Sequence, residues 1–210
     1  MMNNNKVLIL GIGNLLWADE GFGVRCVELL NQRYRFPEQV QLLDGGTQGI
    51  YLVQHVQQAR TLIVFDAVDY GLEPGSLKIV EGDQVPKFMG AKQMSLHQTG
   101  FQEVLAMAEF TGAYPSELLL IGVQPKRLED FGGSLTEPVR AQLESALQVA
   151  LDYLAARGIR PQPRQDEPQA LAPPQLELSR YESERPQMAD AFQHGDIRFL
   201  QAATSAGEES

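Results

Sequence analysis

A single cysteine, Cys26, leaves no partner for an internal disulfide and too few thiols for a Cys-rich zinc site, and it accords with a reducing cytoplasm. Cys26 lies among apolar residues with no histidine near it in sequence, so it reads as a small core hydrophobe and not as a nucleophile. Long apolar runs are also missing. The first one, Val7 to Leu10, has neither the length nor the cleavage site of a signal peptide, and no stretch reaches the ~20 residues of a membrane span. Positive charge is scarce: Lys+Arg 17 against Asp+Glu 27 gives a net charge of −10, which disfavours nucleic-acid phosphates and anionic membranes as partners. Two catalytic signatures are absent. No Gly-x-x-x-x-Gly-Lys-Ser/Thr run is present to cradle phosphates, and no Gly-x-Ser-x-Gly elbow surrounds Ser95 or Ser134.

What is present is enough apolar residue, 43% of 210, to bury the core of one globular domain. Val7–Leu10, Val40–Leu43, Leu62–Phe65 and Leu118–Val123 are short bounded apolar runs, the pattern of strands buried on both faces. Leu77–Val80 alternates, as an edge strand does. Between them lie helical periodicities: Phe22 to Tyr34, Gly49 to Ala59, a helix opening at Ser95-Leu-His-Gln98 with Ser95 as its cap, and one from Thr136-Glu-Pro138 to the glycine stop at Gly158. The alternation predicts an α/β three-layer sandwich, a mostly parallel twisted sheet of about five strands flanked by helices. Composition changes near Gly158. Residues 1–159 form the expected domain, while 160–210 are Pro-, Gln- and Glu-rich and read as a flexible polar tail with a short helix near 188–199.

In a sheet of this kind ligands bind beyond the carboxyl ends of the strands. Strand one ends in Gly11-Ile-Gly-Asn14 and leads to Asp19-Glu20, strand two ends at Asp44-Gly-Gly-Thr47, strand three ends at Asp66, and His97 opens a helix. A carboxylate on the first loop, Asp66 and the His97 imidazole make an O,O,N set for a divalent metal with coordination positions left open. A helix N-terminus disfavours imidazolium, which keeps His97 neutral as a ligand. Each residue also has a plainer reading: Asp44 and Asp66 as turn caps, Glu20 as a dipole partner, Asp19 as the cap of the helix that follows. The Gly11-Ile-Gly13 turn invites a dinucleotide fold, but the fingerprint needs a third glycine at position 16, which is Leu.

The run Gly-Ile-Gly-Asn-Leu-Leu-Trp-Ala-Asp-Glu-Gly-Phe-Gly-Val-Arg, 11 to 25, resembles the opening of the [NiFe]-hydrogenase maturation endopeptidases. Asp44-Gly-Gly-Thr47, Asp66-Ala67, Ser95-Leu-His-Gln98, Leu120-Ile-Gly-Val-Gln-Pro125 and Leu135-Thr-Glu-Pro138 resemble the family's remaining blocks in order and spacing, over about Lys6 to Gly158. The resemblance implies removal of a short C-terminal extension from a hydrogenase large-subunit precursor once nickel is in place. It puts the metal-contacting, catalytic positions at Glu20, Asp66 and His97, with nickel brought by the substrate and no nucleotide. It also implies that Asp44 and the Gly45-Gly46-Thr47 turn govern substrate choice. Nickel that polarises the scissile carbonyl or a water, and nickel that only positions the bond, both fit such a set. Two other functions stay open at this point: a non-catalytic assembly chaperone of the large subunit, and a nucleotide-binding doubly wound module.

Overall fold

A computed structural model describes residues 6–46, 48–86, 96–128 and 130–184, with the side chains of 96–99 and 184 excepted. Five strands form the main sheet: β1 (Val7–Ile12), β3 (Val40–Gly46), β4 (Thr61–Ala67), β5 (Leu77–Glu81) and β6 (Glu117–Val123). Their order is β3-β1-β4-β6-β5; all neighbours are parallel except β5, which runs antiparallel to β6. A two-stranded ribbon, β2 (Tyr34–Arg35) with β7 (Gln162–Pro163), stands apart from it.

The apolar strands are buried on both faces, so successive residues enter different cores. On one face Ile9, Ile63, Phe65, Leu119 and Ile121 pack against α1 (Phe22–Arg33) and α5 (Leu143–Ala155), through Cys26, Val27, Leu30, Leu147 and Leu154. On the other, Leu8, Leu10, Leu62, Val64 and Leu120 meet α2 (Val53–Gln58) and α3 (Leu96–Phe110), through Val56, Phe101, Val104 and Leu105. The sandwich of helix, sheet and helix is the architecture that the sequence predicts. Among the described residues no helix is long and apolar enough to cross a membrane.

Two helices differ from expectation. Gly49–Leu52 is a 3-10 turn that runs into α2. The helix expected from Thr136 to Arg157 is two, α4 (Glu137–Arg140) and α5: the Gln142 amide bonds only three residues back, to Val139, and the α-helical spacing resumes with Ala146 to Gln142. Gly158 does close α5, in the left-handed conformation (φ 75) that glycine takes without a Cβ clash.

The segment after Gly158 departs further. From 160 to 184 it does not leave the domain as a free linker but lies against it: Arg164 donates to the Asn31 carbonyl at 2.8 Å, and Asn31 donates to the Gln169 carbonyl at 2.9 Å. A last helix, α6 (Leu178–Glu184), follows a turn at Pro174–Leu176. The composition is poor in large apolar residues, and apart from Leu171 and the buried Tyr181 the contacts are made by backbone carbonyls and long polar side chains, which periodicity does not register. The helix expected near 188–199 lies outside the described residues.

Candidate functional site

The carboxyl ends of β1, β3 and β4 come together at glycines whose missing side chains let backbones touch. A Cβ on Gly23 would sit 2.2 Å from the Phe65 carbonyl oxygen and 2.3 Å from that of Ile12, and one on Gly11 would sit 2.3 Å from the Gly23 carbonyl oxygen. The first turn of α1 therefore lies directly on β1 and β4, one residue from Asp66. Gly13 (φ 130) makes the second junction: its Cβ position is 1.8 Å from the Glu20 carbonyl oxygen, and its amide donates to Gly46 at 3.1 Å. The Gly-x-Gly pair is thus filled by protein backbone.

Glu20 sits half-buried in the 3-10 turn Ala18–Gly21, which enters α1 with no side-chain cap. Asp66 is 3% exposed at the end of β4, where it pairs in register with Gly122 of β6. The bare Gly122 is covered by Tyr70, whose hydroxyl would lie 2.6 Å from a Cβ there. Burial first, and then the negative charge of Asp66, push the Tyr70 hydroxyl well above its ordinary range and keep it protonated beside that carboxylate. Gln124, on the loop after β6, holds the chain beyond Asp66: its carbonyl accepts the amides of Tyr70 at 2.7 Å and Leu72 at 3.1 Å, and its amide donates to Asp69 at 3.0 Å.

Asp44 lies near the end of β3, paired with Gly11. Its Oδ1 is buried with no hydrogen-bond partner among the described residues. Burial raises its pKa above the usual carboxylate range, against the opposing pull of the Gly46 amide and the Arg25 guanidinium. Gly45 is buried and Gly46 left-handed (φ 44); Thr47 lies outside the described residues. His97 is in the first turn of α3, with its side chain outside the described set, so its relation to Glu20 and Asp66 is not part of the described geometry. Among the described residues no three His, Cys, Asp or Glu side chains form a metal-binding group.

Asp19 is neither a ligand candidate nor a cap for its own helix. Fully buried, its carboxylate accepts the amides of Lys126 (2.8 Å), Arg127 (2.9 Å) and Thr136 (2.7 Å) and the Thr136 hydroxyl (2.9 Å). Thr136, the residue before α4, gives its hydroxyl to this carboxylate and makes no side-chain cap for that helix. The sequence reading missed Gln124 and Tyr70 as well; their only signal was position, just after a strand end. Cys26 is fully buried as expected, and burial pushes its thiol up. His55 lies at the opposite end of the sheet, in a groove it shares with Lys6, Glu38 and Gln41.

The chain matches a family model described as hydrogenase maturation protease over residues 24–153. It is 74% identical over 195 residues to the hydrogenase expression/formation protein HupM of Azotobacter chroococcum mcd 1, covering 93% of each chain. It is 72% identical to the hydrogenase expression/formation protein HoxM of Azotobacter vinelandii, covering 95% of this chain and 96% of that one. Among solved structures, the hydrogenase maturating endopeptidase HybD from E. coli superposes with a TM-score of 0.72 at 40% identity, covering 77% of this chain and 99% of its own. With these matches in sequence and in the layered sheet, the chain belongs to the hydrogenase maturation protease family.

Proposed function

We propose that this chain is an endopeptidase that removes the C-terminal extension of a [NiFe]-hydrogenase large-subunit precursor, with nickel already in the precursor as the mark it reads. The observation that supports this most is the junction at Gly13, where the turn bearing Glu20, the β3 end bearing Asp44 and, through Gly23, the β4 end bearing Asp66 are tied at one sheet edge. Glu20, Asp66 and His97 are assigned to meet the substrate's nickel, an O,O,N set that leaves coordination positions for the precursor's own ligands. A carboxylate of the pair is the acceptor for the proton released when water attacks the scissile carbonyl. Asp44, with Gly45, Gly46 and Thr47, is assigned to substrate choice: a carboxyl with an unsatisfied buried oxygen offers a hydrogen-bond acceptor to an incoming chain. The cytoplasm, where the precursor is assembled, is the proposed compartment.

Intact-mass spectrometry of a large-subunit precursor, nickel-loaded and nickel-free, after mixing with the protein tests the reading. The expected result is loss of a C-terminal peptide from the loaded form alone, abolished by Glu20→Gln and by His97→Ala. Cleavage of both forms removes nickel from the mechanism. Binding with no mass change replaces the protease with an assembly chaperone.

A further inference from the structure

The Glu20 turn is held on one side by the sheet and on the other by the loop 130–136. That loop touches it three times: the Gly132 amide donates to the Leu16 carbonyl at 2.8 Å, Trp17 bridges to Phe131 with ring centroids 5.4 Å apart, and Thr136 bonds to Asp19. The outer face of the same loop is gripped by α6. Glu182 accepts Ser134 Oγ and forms a two-pronged ion pair with Arg140, whose Nη1 lies 3.2 Å from Glu182 Oε2. The Tyr181 hydroxyl, buried, donates to the Gly133 carbonyl at 3.4 Å. The helix is anchored from behind by Arg25, 2% exposed, which donates to the Leu176 carbonyl, pairs with Glu28 at 2.7 Å and lies over the Tyr181 ring at 5.6 Å. The segment 160–184, a strap over the domain, lies wholly beyond position 153, where the match to the family model ends.

We infer that α6 is a clasp that orients the candidate site, and that Glu182 is its positioning residue: it fixes Ser134 and Arg140, hence the loop, hence Asp19 and the Glu20 turn. The inference rests on the protease reading for its effect on rate. A bidentate carboxylate–guanidinium pair sets orientation as well as separation, which a lone packing contact does not. A displacement of about 1 Å at a reacting group costs up to about a hundredfold in rate, so a remote hold of this kind has leverage on turnover.

The single tryptophan, Trp17, immediately precedes the turn and serves as a probe that needs no substrate. In the full-length protein, Glu182→Ala and the milder Tyr181→Phe are compared with wild type by iodide quenching of Trp17, and by kcat and KM on nickel-loaded precursor well below each variant's Tm. The clasp predicts roughly twofold stronger quenching for Glu182→Ala, about a tenfold fall in kcat with KM within twofold, and recovery of both in the charge-exchanged pair Arg140→Glu with Glu182→Arg. Unchanged Trp17 quenching in both single variants overturns the inference. So does a quenching change with kcat unaltered, which leaves α6 as packing alone. A Trp17 response, restored in the exchanged pair, from a wild-type protein that cleaves nothing overturns the protease reading and leaves the clasp as an orienting element.

Discussion

The Asp19 carboxylate holds Thr136 by both its backbone amide, at 2.7 Å, and its hydroxyl, at 2.9 Å, across 117 positions of sequence. The same carboxylate takes the amides of Lys126 and Arg127, so one buried side chain closes the loop after β6 onto the turn that carries Glu20. Part-buried donors cost heavily when their acceptor is removed, because water replaces it only incompletely.

Asp19→Ala is therefore expected to lower stability by about 3 kcal/mol, the cost of stranding several donors less what water recovers, and to lower Tm by roughly 6–12 °C. Thermal unfolding followed by circular dichroism checks it. A loss under ~0.5 kcal/mol, the size of an ordinary surface change, would show that the loop is held elsewhere.

Gly23 and Gly21 are separated by one residue and predict opposite outcomes. A Cβ on Gly23 meets carbonyl oxygens at 2.2 and 2.3 Å, whereas one on Gly21 finds its nearest neighbour at 3.4 Å. In a helix alanine is favoured over glycine by ~1 kcal/mol, but backbone overlap reverses the sign. Gly23→Ala is expected to cost about 3 kcal/mol or more and to abolish processing by displacing Asp66 from the Glu20 turn, while Gly21→Ala stays within about 1 kcal/mol of wild type. Denaturant unfolding of the two variants side by side decides between them.

Asp44 links stability to pH. Its folded-state pKa is raised, chiefly by burial, so the carboxyl's contribution to stability is fully present below the unfolded value near 3.8 and is lost as pH rises through the raised value. Asp44→Asn, which cannot ionise, is expected to melt higher than wild type at pH 7, with the difference closing as pH falls below 3.8. The same variant is expected to process the precursor more slowly, a trade of function for stability. Melting curves across pH 3 to 8 and one processing time course measure both.

Cys26 is 0% exposed, with its thiol held protonated by burial. The native protein is expected to take up no maleimide and to keep full processing activity after the treatment, and to take up one equivalent once unfolded. Labelling of the native state with loss of activity would return a cysteine nucleophile to consideration.

Much of this was legible along the chain. Short apolar runs flanked by polar strand ends announce a parallel sheet, because strands buried on both faces have no polar side to alternate. The ordered blocks from Gly11 to Pro138 point to the family, and strand-end chemistry offers a first-loop carboxylate, Asp66 and His97 as candidates, which stay a proposal. Asp19 was not readable: its partners are Lys126, Arg127 and Thr136, and nothing local separates a carboxylate that caps its own helix from one that closes a distant loop. The strap over 160–184 was misread for a related reason. Beyond Leu171 and Tyr181 its contacts are polar and irregular, made by Arg164, Arg25 and Glu182 with backbone and side chains far away in sequence, so they leave no periodic trace.

By itself, then, the sequence determined the layered α/β class and the family to which the chain belongs, and it marked the sheet edge where the candidate residues lie, because these follow from hydrophobic period, strand ends and local motifs. Tertiary structure alone decided which glycines carry backbone contacts, that the Asp19 carboxylate closes a distant loop, and that α6 grips the loop 130–136. Those relations join residues that only the folded chain brings within hydrogen-bonding distance, and hydrogen bonds and steric overlap act over a few ångströms of space whatever the separation in sequence.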